Sequence, residues 1–433
     1  MPPAAARAHP GRLPGVTPPP DAPAAADAAR PTVLIVSNGH GEDVVGARIA
    51  AAMQAARPDV ALSAFPTVGD GAPYAPLNVV RVGPSLQLPS GGFTFEDPRL
   101  LARDLRAGLV ATTLRQVRAL RTLRADRVVA VGDVWAEALG VLPRAARRHA
   151  VQTLVSVHTE AGGARLGVRA FRDRFTALER TVLARGYAAV HPRDAASAAR
   201  LRAAGVPARY DGNPMMDGLD AAPAPEVDDG AAGVARVALL PGTRSHAPDA
   251  LARMVEATAR LPQVRSAVAW AAGPFPAPPA GWTAAPRGEA HVVWCRDGAT
   301  VHLLRDRFAA LLAWADLVVG TSGTAQEQAA GLGRPVVTFA TDARYPARYL
   351  AKQRRLLGDA LEVVPSEPAA IAAALAALAA DPAERARRGA VGRARMGEAG
   401  GAERIAAAVL AGLPAGRSPG GPPGGAGDAR IPG

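Results

Sequence analysis

The sequence predicts two doubly wound α/β domains that face each other across a cleft, and three observations support this fold class. The chain has 433 residues, which is too long for one ordinary hydrophobic core. Its apolar content of 49% supplies enough side chains for two cores. Short apolar runs alternate with longer amphipathic segments on both sides of a Pro-, Asp- and Gly-rich stretch at 220–235, and such alternation is typical of parallel sheets covered by helices.

The same composition shifts set the domain boundaries. Residues 1–30 contain eight Pro and ten Ala without apolar periodicity, and residues 413–433 are similar, so both are predicted to be disordered tails. The first Rossmann-like domain is expected over 31–219 and the second over 236–412. The stretch 220–235 is the predicted linker between them.

Each domain contains six apolar runs that predict strands. In the first domain these are TVLIVS, VALSAF, NVVRVG, RVVAVG, VQTLVSV and YAAVH, and in the second RVALLPG, VRSAVAWAAG, AHVVW, ADLVVG, RPVVTF and ALEVVP. After the last run, Gly401 to Leu410 has a helical pattern and can pack back onto the first domain. Ligands of such sheets bind at the carboxyl ends of the strands, so the cleft between the domains is the expected site.

Charge and cysteine content limit the functional classes. The formal net charge is +12, and +10 remains without the two tails, which suits anionic ligands. Lys352 is the single lysine among 50 basic residues, so an Arg-rich base composition is an alternative origin of this charge. One cysteine, Cys295, rules out an intramolecular disulfide framework and a zinc site built on several cysteines, and it fits a reducing cytosol.

No segment matches a membrane span, a secretory signal or a nucleic-acid motif. The longest purely apolar run, Ala369 to Ala380, has twelve residues, whereas a span needs about 20. The first residues lack the apolar core of a signal peptide. Aromatic residues make up only 4% and no RNA- or DNA-binding signature is present, so nucleic acid is not an expected partner.

A glycine-rich turn follows the first predicted strand. The stretch SNGHGEDVVGARIA, Ser37 to Ala50, connects that strand to an amphipathic helix, whose N-terminus is a candidate site for an anion or a substrate. Its spacing matches neither a dinucleotide fingerprint nor a Walker loop. The candidate residues in it are Gly39, His40, Gly41, Glu42 and Asp43. Alternatively, the glycines only permit a tight turn and His40 is a hydrogen-bonded turn histidine.

Two stretches of the second domain have a composition suited to phosphate binding. In LLPGTRSHAPDAL a strand leads through Gly242 to Arg244 before a helix, and the planar guanidinium of an Arg there can bind a diphosphate. In ADLVVGTSGTAQEQAAGLGRPVV a strand delivers Ser322, Gly323 and Thr324 to the next helix. A plain turn with Ser or Thr capping has the same pattern.

A third stretch, DARYPARYL, follows the next strand of the second domain. Its polar side chains belong to Asp342, Arg344 and Tyr345. They fit a nucleotide-side loop or a solvated turn, and the solvated turn is the favoured interpretation.

The second-domain motifs carry a family resemblance. LLAWADLVVGTSGTAQEQAAGLGRPVV, LLPGTRS and DGNPMMDGL (Asp211 to Leu219) resemble the lipid-A-disaccharide synthase group of bacterial glycosyltransferases, closest to the branch described as lipid-A-disaccharide synthase-related. The resemblance covers about Pro31 to Leu413. It implies the GT-B architecture, in which two Rossmann-like domains bind the acceptor mainly on the first and a nucleotide-sugar donor mainly on the second.

The resemblance also implies roles for individual residues. The residues that would bind the donor are Gly39, Gly41, Gly242, Arg244, Ser322, Gly323, Thr324, Glu327 and Gln328. The family's helix acid, which tends to hold the ribose, aligns with Gln328, and Glu327 lies one position earlier. The first loop would close the cleft floor beneath the donor phosphates, with His40, Glu42 and Asp43 facing the reacting sugar.

A catalytic base is implied at the end of another first-domain strand. RVVAVGDVWAEAL places Asp133 where the family carries a proposed catalytic Asp, and His40 and Asp43 are the next candidates. Inverting transfer needs a base for the acceptor hydroxyl and positive groups for the leaving diphosphate. Arg244 and the helix N-termini would supply the second function, so no metal or cofactor is expected beside a UDP-sugar donor resembling UDP-GlcNAc. Asp133 would equally serve as the N-cap of a helix that starts at Val134.

The acceptor side combines an apolar loop with a basic helical stretch. The loop SLQLPSGGFTFEDP contributes Leu86, Leu88, Phe93 and Phe95. The stretch Leu100 to Arg127 contributes Arg103, Arg106, Arg115, Arg118, Arg121 and Arg124. This combination suits a lipid acceptor or an anionic bilayer. For a protein expected in the cytoplasm, it indicates peripheral contact with the inner face of the cytoplasmic membrane. A solvated basic face over a leucine core is the more common outcome of such a pattern.

Two other functions share these features. VVAVGDVWAEALGVL, VHTEAGGARL and DGNPMMDGL also resemble stretches of the non-hydrolysing UDP-GlcNAc 2-epimerases, which have the same two-domain architecture. The first loop of those enzymes is Gly-Thr-Arg-Pro, whereas this chain has SNGHGED. The other alternative is a nucleotide-sugar- or lipid-binding homologue without catalytic activity, which Gln328 in place of an acid favours.

Overall fold

The computed structural model describes residues 30–85, 108–160, 170–219, 234–341 and 347–415, together with a few single positions between these ranges. The strands in these ranges form two separate sheets. Parts of the chain singled out above lie outside the described residues: nearly all of the tails and the linker, the loop residues Leu86, Leu88, Phe93 and Phe95, and the turn residues Asp342, Arg344 and Tyr345.

The first sheet has six parallel strands in the order β3-β2-β1-β4-β5-β6. They are β1 (Thr32–Ser37), β2 (Ala61–Pro66), β3 (Val80–Arg81), β4 (Arg124–Gly132), β5 (Arg144–Gln152) and β6 (Ala189–Pro192). The order of strand addition reverses between β1 and β4. The loops that follow these two strands therefore border a crevice at the carboxyl edge of the sheet.

Helices cover both faces of this sheet. They are α1 (His40–Ala56), α2 (Leu109–Thr122), α3 (Val134–Gly140), α4 (Val157–Glu160), α5 (Ala170–Asp173), α6 (Ala177–Gly186) and α7 (Ala195–Ala203), with a 3-10 helix at Ala72–Leu77. Ile35 packs with α1 on one face, and Leu34 packs with α2 and α3 on the other. A central parallel strand buried on both faces is a continuous apolar run, which is why TVLIVS shows no alternation.

The second sheet has eight strands in the order β14-β13-β12-β7-β8-β11-β10-β9. They are β7 (Ala235–Leu240), β8 (Val264–Ala269), β9 (Thr283–Gly288), β10 (His291–Arg296), β11 (Ala299–Leu304), β12 (Leu317–Gly320), β13 (Val336–Phe339) and β14 (Leu361–Val364). The helices of this half of the chain are α8 (Ala247–Thr258), α9 (Phe308–Trp314), α10 (Gly323–Gly331), α11 (Ala347–Leu357), α12 (Pro368–Ala380), α13 (Pro382–Met396) and α14 (Gly401–Leu410). None of the helices within the described residues combines the length and the apolar content that crossing a membrane requires.

The predicted alternation misses two strands of the second sheet. β9 and β11 flank β10 and pair with it antiparallel, so this sheet is mixed rather than purely parallel. Asp297 and Gly298 join β10 to β11, and both have positive φ, 48° and 82°. An Asp-Gly pair between two apolar runs is the signal for a two-residue hairpin turn, and it was available in the sequence.

Two predicted boundaries differ from the structure. β5 ends at Gln152, so most of the VQTLVSV run belongs to the loop that follows the strand. The helical stretch expected from Leu100 to Arg127 ends at Thr122, and Arg124 already belongs to β4. The arginine periodicity continues through this boundary, but the buried Val128 and Val129 require an extended strand in the sheet core.

The last helix returns to the first domain. Ile405 and Val409 of α14 pack in the same core cluster as Ile35 and Met53, which confirms the expected return of this segment. The first backbone N–H groups of α14 point at the carboxylate of Asp217, which accepts hydrogen bonds from Gly400, Gly401 and Ala402 at 2.6, 3.1 and 2.7 Å.

The motif DGNPMMDGL is the connection that leaves the first domain, and it is called the crossover below. The backbone N–H of Asn213 donates to the carbonyl of Glu398 at 2.7 Å, and its side-chain amide donates to the carbonyl of Met396 at 2.8 Å. Met216 packs with Met396 in a core of the second domain. The motif therefore fastens the outgoing chain segment to the returning one.

Candidate functional site at the interdomain cleft

The carboxyl ends of β7 and β12 carry the two predicted donor loops. These strands are parallel neighbours, with Leu240 paired to Gly320, so the loops that follow them start side by side. The hydroxyl of Thr321 donates to the carbonyl of Pro241 at 3.0 Å. The two loops together form one edge of the second domain, called the donor edge below after the role that the sequence predicts for it.

Gly242 and Ser322 touch where these loops meet. Gly242 has a φ of 89°, a left-handed value that favours glycine, and a Cβ at this position would lie 3.3 Å from the Cβ of Ser322. Ser322 is the N-cap residue of α10, but its side chain makes no capping hydrogen bond. The N-terminus of α10 therefore does not use this hydroxyl. Gly323 lies so close to the hydroxyl of Tyr349 that a side chain would collide with it.

The N-terminus of α10 gives the donor edge a positive character. This helix starts at Gly323 without a side-chain capping bond. The N-terminus of α8 contributes less, because the N–H of Ala247 donates to the carbonyl of Arg244 at 2.9 Å and Pro248 has no N–H. The unbonded N–H groups of a helix's first turn carry partial positive charge and favour an anion. Arg244 and Thr324 are exposed in the same loops. The structure thus brings together Gly242, Arg244, Ser322, Gly323 and Thr324, and their binding of a donor stays a prediction.

The two residues considered for the ribose are engaged elsewhere. Oε2 of Glu327 accepts from Nη2 of Arg193 at 2.6 Å, and Oε1 accepts from the amide of Gln353 at 3.0 Å. The amide of Gln328 donates to the carbonyl of Met215 at 2.8 Å. Both side chains lie in contacts toward the first domain and the crossover, so the geometry gives the predicted ribose contact no support.

Asp133 lies at the carboxyl end of β4 as the N-cap of α3. Its Oδ1 accepts from the backbone N–H of Trp135 at 3.0 Å and from the side-chain amide of Asn38 at 2.6 Å. The capping alternative is therefore realised in the structure, and the catalytic role stays a prediction. Sequence reasoning did not single out Asn38, although it stands in the same loop as His40.

The glycine-rich first loop packs against the end of β4. Gly132 has a φ of 144°, and a side chain there would collide with the amide oxygen of Asn38. His40 and Gly41 open α1 and are exposed, whereas Glu42 is half-buried with its carboxylate 3.5 Å from the hydroxyl of Thr153. Close approach of the two loops brings the exposed His40 and the half-buried Asp133 to one edge of the first sheet, called the acceptor edge below after its predicted role. Gly39 precedes His40 in an extended conformation.

The structure corrects the sequence prediction for Asp43, because this side chain does not face the cleft. It lies on the buried side of α1 with 1% of its surface exposed. Oδ1 accepts from the hydroxyl of Ser37 at 2.5 Å, and that hydroxyl lies 3.0 Å from the hydroxyl of Tyr74. Burial raises the pKa of Asp43 to about 6; the Ser37 bond opposes this and nearby Asp70 adds to it. The residue fastens α1 to β1 beneath the loop.

A pair of buried acids lies close to the acceptor edge and was not predicted. The amide of Gln152 donates to both Glu137 and Glu179, whose exposed fractions are 1% and 0%. Burial raises the pKa of Glu137 well above its ordinary range, with further contributions from Glu179 and Asp133, and burial raises the pKa of Glu179 to about 7. Within the described ranges, no group of three His, Cys, Asp or Glu side chains has an arrangement that could hold a metal ion.

Comparisons with known proteins agree with this architecture. No protein-family model and no curated protein matches the chain. Among solved structures, CalG4, the calicheamicin glycosyltransferase, superposes with a TM-score of 0.51 at 16% identity, over 88% of this chain and 98% of that one. MurG from Acinetobacter baumannii gives 0.52 at 13%, over 88% and 99%. A UDP-N-acetylglucosamine 2-epimerase gives 0.50 at 15%, over 88% and 96%.

The chain has the GT-B fold. These neighbours resemble it over nearly their whole length, and its two α/β domains have the expected sheets. At such low identity the likeness extends to the fold, and function depends on the residues of the site. Transferases and an epimerase superpose equally well, so the fold does not separate these two reactions.

Proposed function

We propose that the chain is an inverting glycosyltransferase, related to lipid-A-disaccharide synthases, that moves a sugar from a UDP-sugar to a lipid or lipid-linked acceptor. The donor edge carries this proposal. Arg244, the hydroxyl of Ser322 and the N-terminus of α10 follow two neighbouring parallel strands. A bound diphosphate is stabilised by such a set of backbone N–H, hydroxyl and guanidinium donors.

The proposed reaction uses residues of both edges. Asp133 takes the proton of the acceptor hydroxyl while that oxygen forms a bond to the anomeric carbon of the donor sugar. The bond from the anomeric carbon to the diphosphate oxygen breaks on the opposite face, and UDP leaves with the electron pair. Arg244 and the first amides of α10 stabilise the charge on UDP. Asn38, 2.6 Å from Asp133, orients the base, and the exposed His40 is the second candidate for it.

A lipid acceptor is supported by the surface of α2. Val110 and Leu114 lie one turn apart on this helix and are 57% and 52% exposed. Exposed arginines accompany them at Arg103, Arg106, Arg115, Arg118 and Arg121. From residue 103 to residue 124 the sequence contains one acid, Asp104. An apolar stripe with basic flanks favours the surface of an anionic bilayer.

Calorimetric titration with UDP tests the donor site. Wild type should bind UDP, and Arg244→Ala should weaken binding by about 10- to 100-fold, because a charge-assisted bond contributes about 1.5–3 kcal/mol. Arg287→Ala is the matched control, since Arg287 is an exposed arginine of the same domain on edge strand β9. If wild type binds neither UDP nor any UDP-sugar, the transferase proposal must be withdrawn.

Incubation with UDP-GlcNAc alone separates the transferase from the epimerase. A transferase leaves the nucleotide sugar unchanged, or releases UDP slowly to water, when no acceptor is present. Conversion of UDP-GlcNAc into its C2 epimer without any acceptor would establish the isomerase instead. UDP binding without turnover of any donor in the presence of lipid acceptors would favour the inactive binding homologue.

Co-sedimentation with liposomes tests the acceptor surface. Wild type should bind vesicles that contain anionic phosphatidylglycerol more strongly than vesicles of phosphatidylcholine alone. The double variant Val110→Gln and Leu114→Gln should lose most of this binding, and Leu178→Gln, at an equally exposed leucine on α6, should keep it. Equal binding to vesicles with and without phosphatidylglycerol would argue against a membrane-facing α2.

A further inference from the structure

A buried ion pair joins the two domains beside the donor edge. Arg193 follows β6 of the first sheet, and its Nη2 donates to Oε2 of Glu327 on α10 of the second domain at 2.6 Å. The Arg193 side chain is 2% exposed and the Glu327 side chain 11% exposed. Removal of one partner from such a buried pair leaves the other charge buried without compensation, which is strongly destabilising.

Each member of the pair is held by its own domain. Nη1 of Arg193 donates to the carbonyl of Thr153, the residue that follows β5, at 2.9 Å. The amide of Gln353 on α11 donates to Oε1 of Glu327 at 3.0 Å. Both ends of the ion pair are therefore anchored to fixed elements, so its length and direction constrain the approach of the two domains.

A second contact joins α10 to α1 at the crossover. The carbonyl of Met215 accepts from the amide of Gln328 on α10 at 2.8 Å and from Nη1 of Arg48 on α1 at 3.0 Å. α1 begins at the acceptor edge and α10 begins at the donor edge. The two helices whose N-termini border the cleft are thus joined through one carbonyl of the crossover.

We propose that Arg193 and Glu327 are positioning residues that hold the donor edge against the acceptor edge. The identity of the two edges rests on the proposed function. Glu327 lies four residues into α10, about 6 Å along the helix from Gly323. Because the short helix moves as a unit, the ion pair sets where the N–H groups around Ser322 and Gly323 stand relative to Asp133. Loss of either charge leaves the other buried without a partner, and it can regain water only if the domains separate.

Distances between spin labels, measured by pulsed electron paramagnetic resonance, test this role. Exposed helix positions suit the labels: Ala56→Cys at the end of α1 and Ala386→Cys on α13, in a Cys295→Ser background. The doubly labelled protein without further substitutions, called the parent below, should give one narrow distance distribution. Arg193→Gln and Glu327→Gln should each make it about twofold wider, because a hinged pair of domains without its closing contact samples open states.

Two further variants separate the ion pair from general effects. Glu362→Gln removes an equally short ion pair, Arg388 to Glu362 at 2.6 Å, that lies within the second domain, so it should leave the distribution unchanged. Arg193→Lys keeps the positive charge and should restore most of the narrow distribution. A parent-like width in a folded Glu327→Gln protein would overturn the proposal. If the Gln variants do not fold, Gln353→Ala removes one donor to Glu327 and must still broaden the distribution.

Titration and turnover of the same proteins separate positioning from folding and from the proposed function. In Glu327→Gln the affinity for UDP should stay within about twofold of the parent while kcat falls by about tenfold or more, because the donor edge is intact but misaligned. Parallel losses of UDP affinity and thermal stability would indicate a merely structural role. Failure of the parent to bind UDP would end the proposed function, and the label distances would still decide whether Arg193 and Glu327 position the domains.

Discussion

The donor edge and the acceptor edge use their polar residues in opposite ways. On the donor edge Arg244 and Thr324 are exposed, and the hydroxyl of Ser322, the N-cap residue of α10, makes no capping hydrogen bond. On the first domain Asp133 caps α3, and Asp43 is buried against Ser37. Substitution of Ser322 is therefore expected to disturb the fold little. The first-domain acids are also parts of the scaffold, so their substitution tests stability and function together.

The largest expected effect concerns Asp133, where helix capping and the proposed role as a base can be separated. Asp133→Ser keeps an N-cap oxygen for the N–H of Trp135 but removes the base. We expect a free energy of unfolding within about 1 kcal/mol of wild type and a kcat lowered by about 10²–10⁴-fold. Denaturant unfolding and steady-state kinetics measure the two quantities. Asp381→Ser, at the N-cap of α13, is the control for capping alone. Undiminished turnover in Asp133→Ser would show that Asp133 is not the base, and His40 would then be the next candidate.

A matched pair of glycines compares the packing of the two edges. Gly132→Ala should cost about 3 kcal/mol of unfolding free energy, because the new methyl group collides with Asn38 in addition to the backbone strain. Gly242→Ala should cost about 1–2 kcal/mol, since its methyl group only approaches Ser322 at 3.3 Å. Urea denaturation measures both, and equal costs would mean that the two edges are equally crowded.

Asp43 makes the stability of the first domain depend on pH. Its pKa of about 6 in the folded protein exceeds the ordinary 3.8, so the folded state holds the proton more tightly and stability falls as the pH rises through about 6. Asp43→Asn removes this loss. The stability of the variant relative to wild type should rise by about 2 kcal/mol between about pH 4.5 and pH 7.5. Asp249→Asn, an exposed acid on α8, should show no such change in the same denaturation series.

The smallest stability effect is expected at Ser322. Since its side chain makes no capping bond, Ser322→Ala should change the free energy of unfolding by less than about 0.5 kcal/mol. UDP affinity should nevertheless fall by about 3- to 10-fold, the loss of one neutral hydrogen bond. Thermal unfolding and calorimetry on one preparation compare the two. A large loss of stability would show that Ser322 belongs to the scaffold, as the first-domain acids do.

Much of the fold was predictable because strand runs and glycine turns are local signals. The run TVLIVS predicted the central strand β1, and Gly401 to Leu410 predicted the return helix. β9 was missed because its residues, TAAPRG, are all exposed and lack apolar alternation. The helix predicted for the basic stretch around α2 was too long at its C-terminal end, since arginine spacing does not show where the helix ends and the next strand begins.

The candidate site was predictable only in part. The two strand-to-helix turns with Gly, Ser and Arg were predicted, and the structure places them after neighbouring strands; their binding of a donor stays a prediction. Arg193, Asn38 and Gln152 gave no comparable signal, because each gains its meaning from a partner distant in sequence. Glu327 illustrates the limit: its helix position suggests a ligand contact, and its actual partners are Arg193 and Gln353.

The sequence by itself determined the two α/β domains, the crossover motif and the loops that end at the cleft, because these depend on periodicity and on backbone requirements of nearby residues. Tertiary structure alone decided which polar side chains those loops can offer. Whether Asp43 meets solvent or Ser37, whether Asp133 caps a helix, and whether Glu327 bonds to Arg193 depends on which elements pack together. Burial and partner distance set the charge and the availability of such groups, and both arise only when distant segments meet.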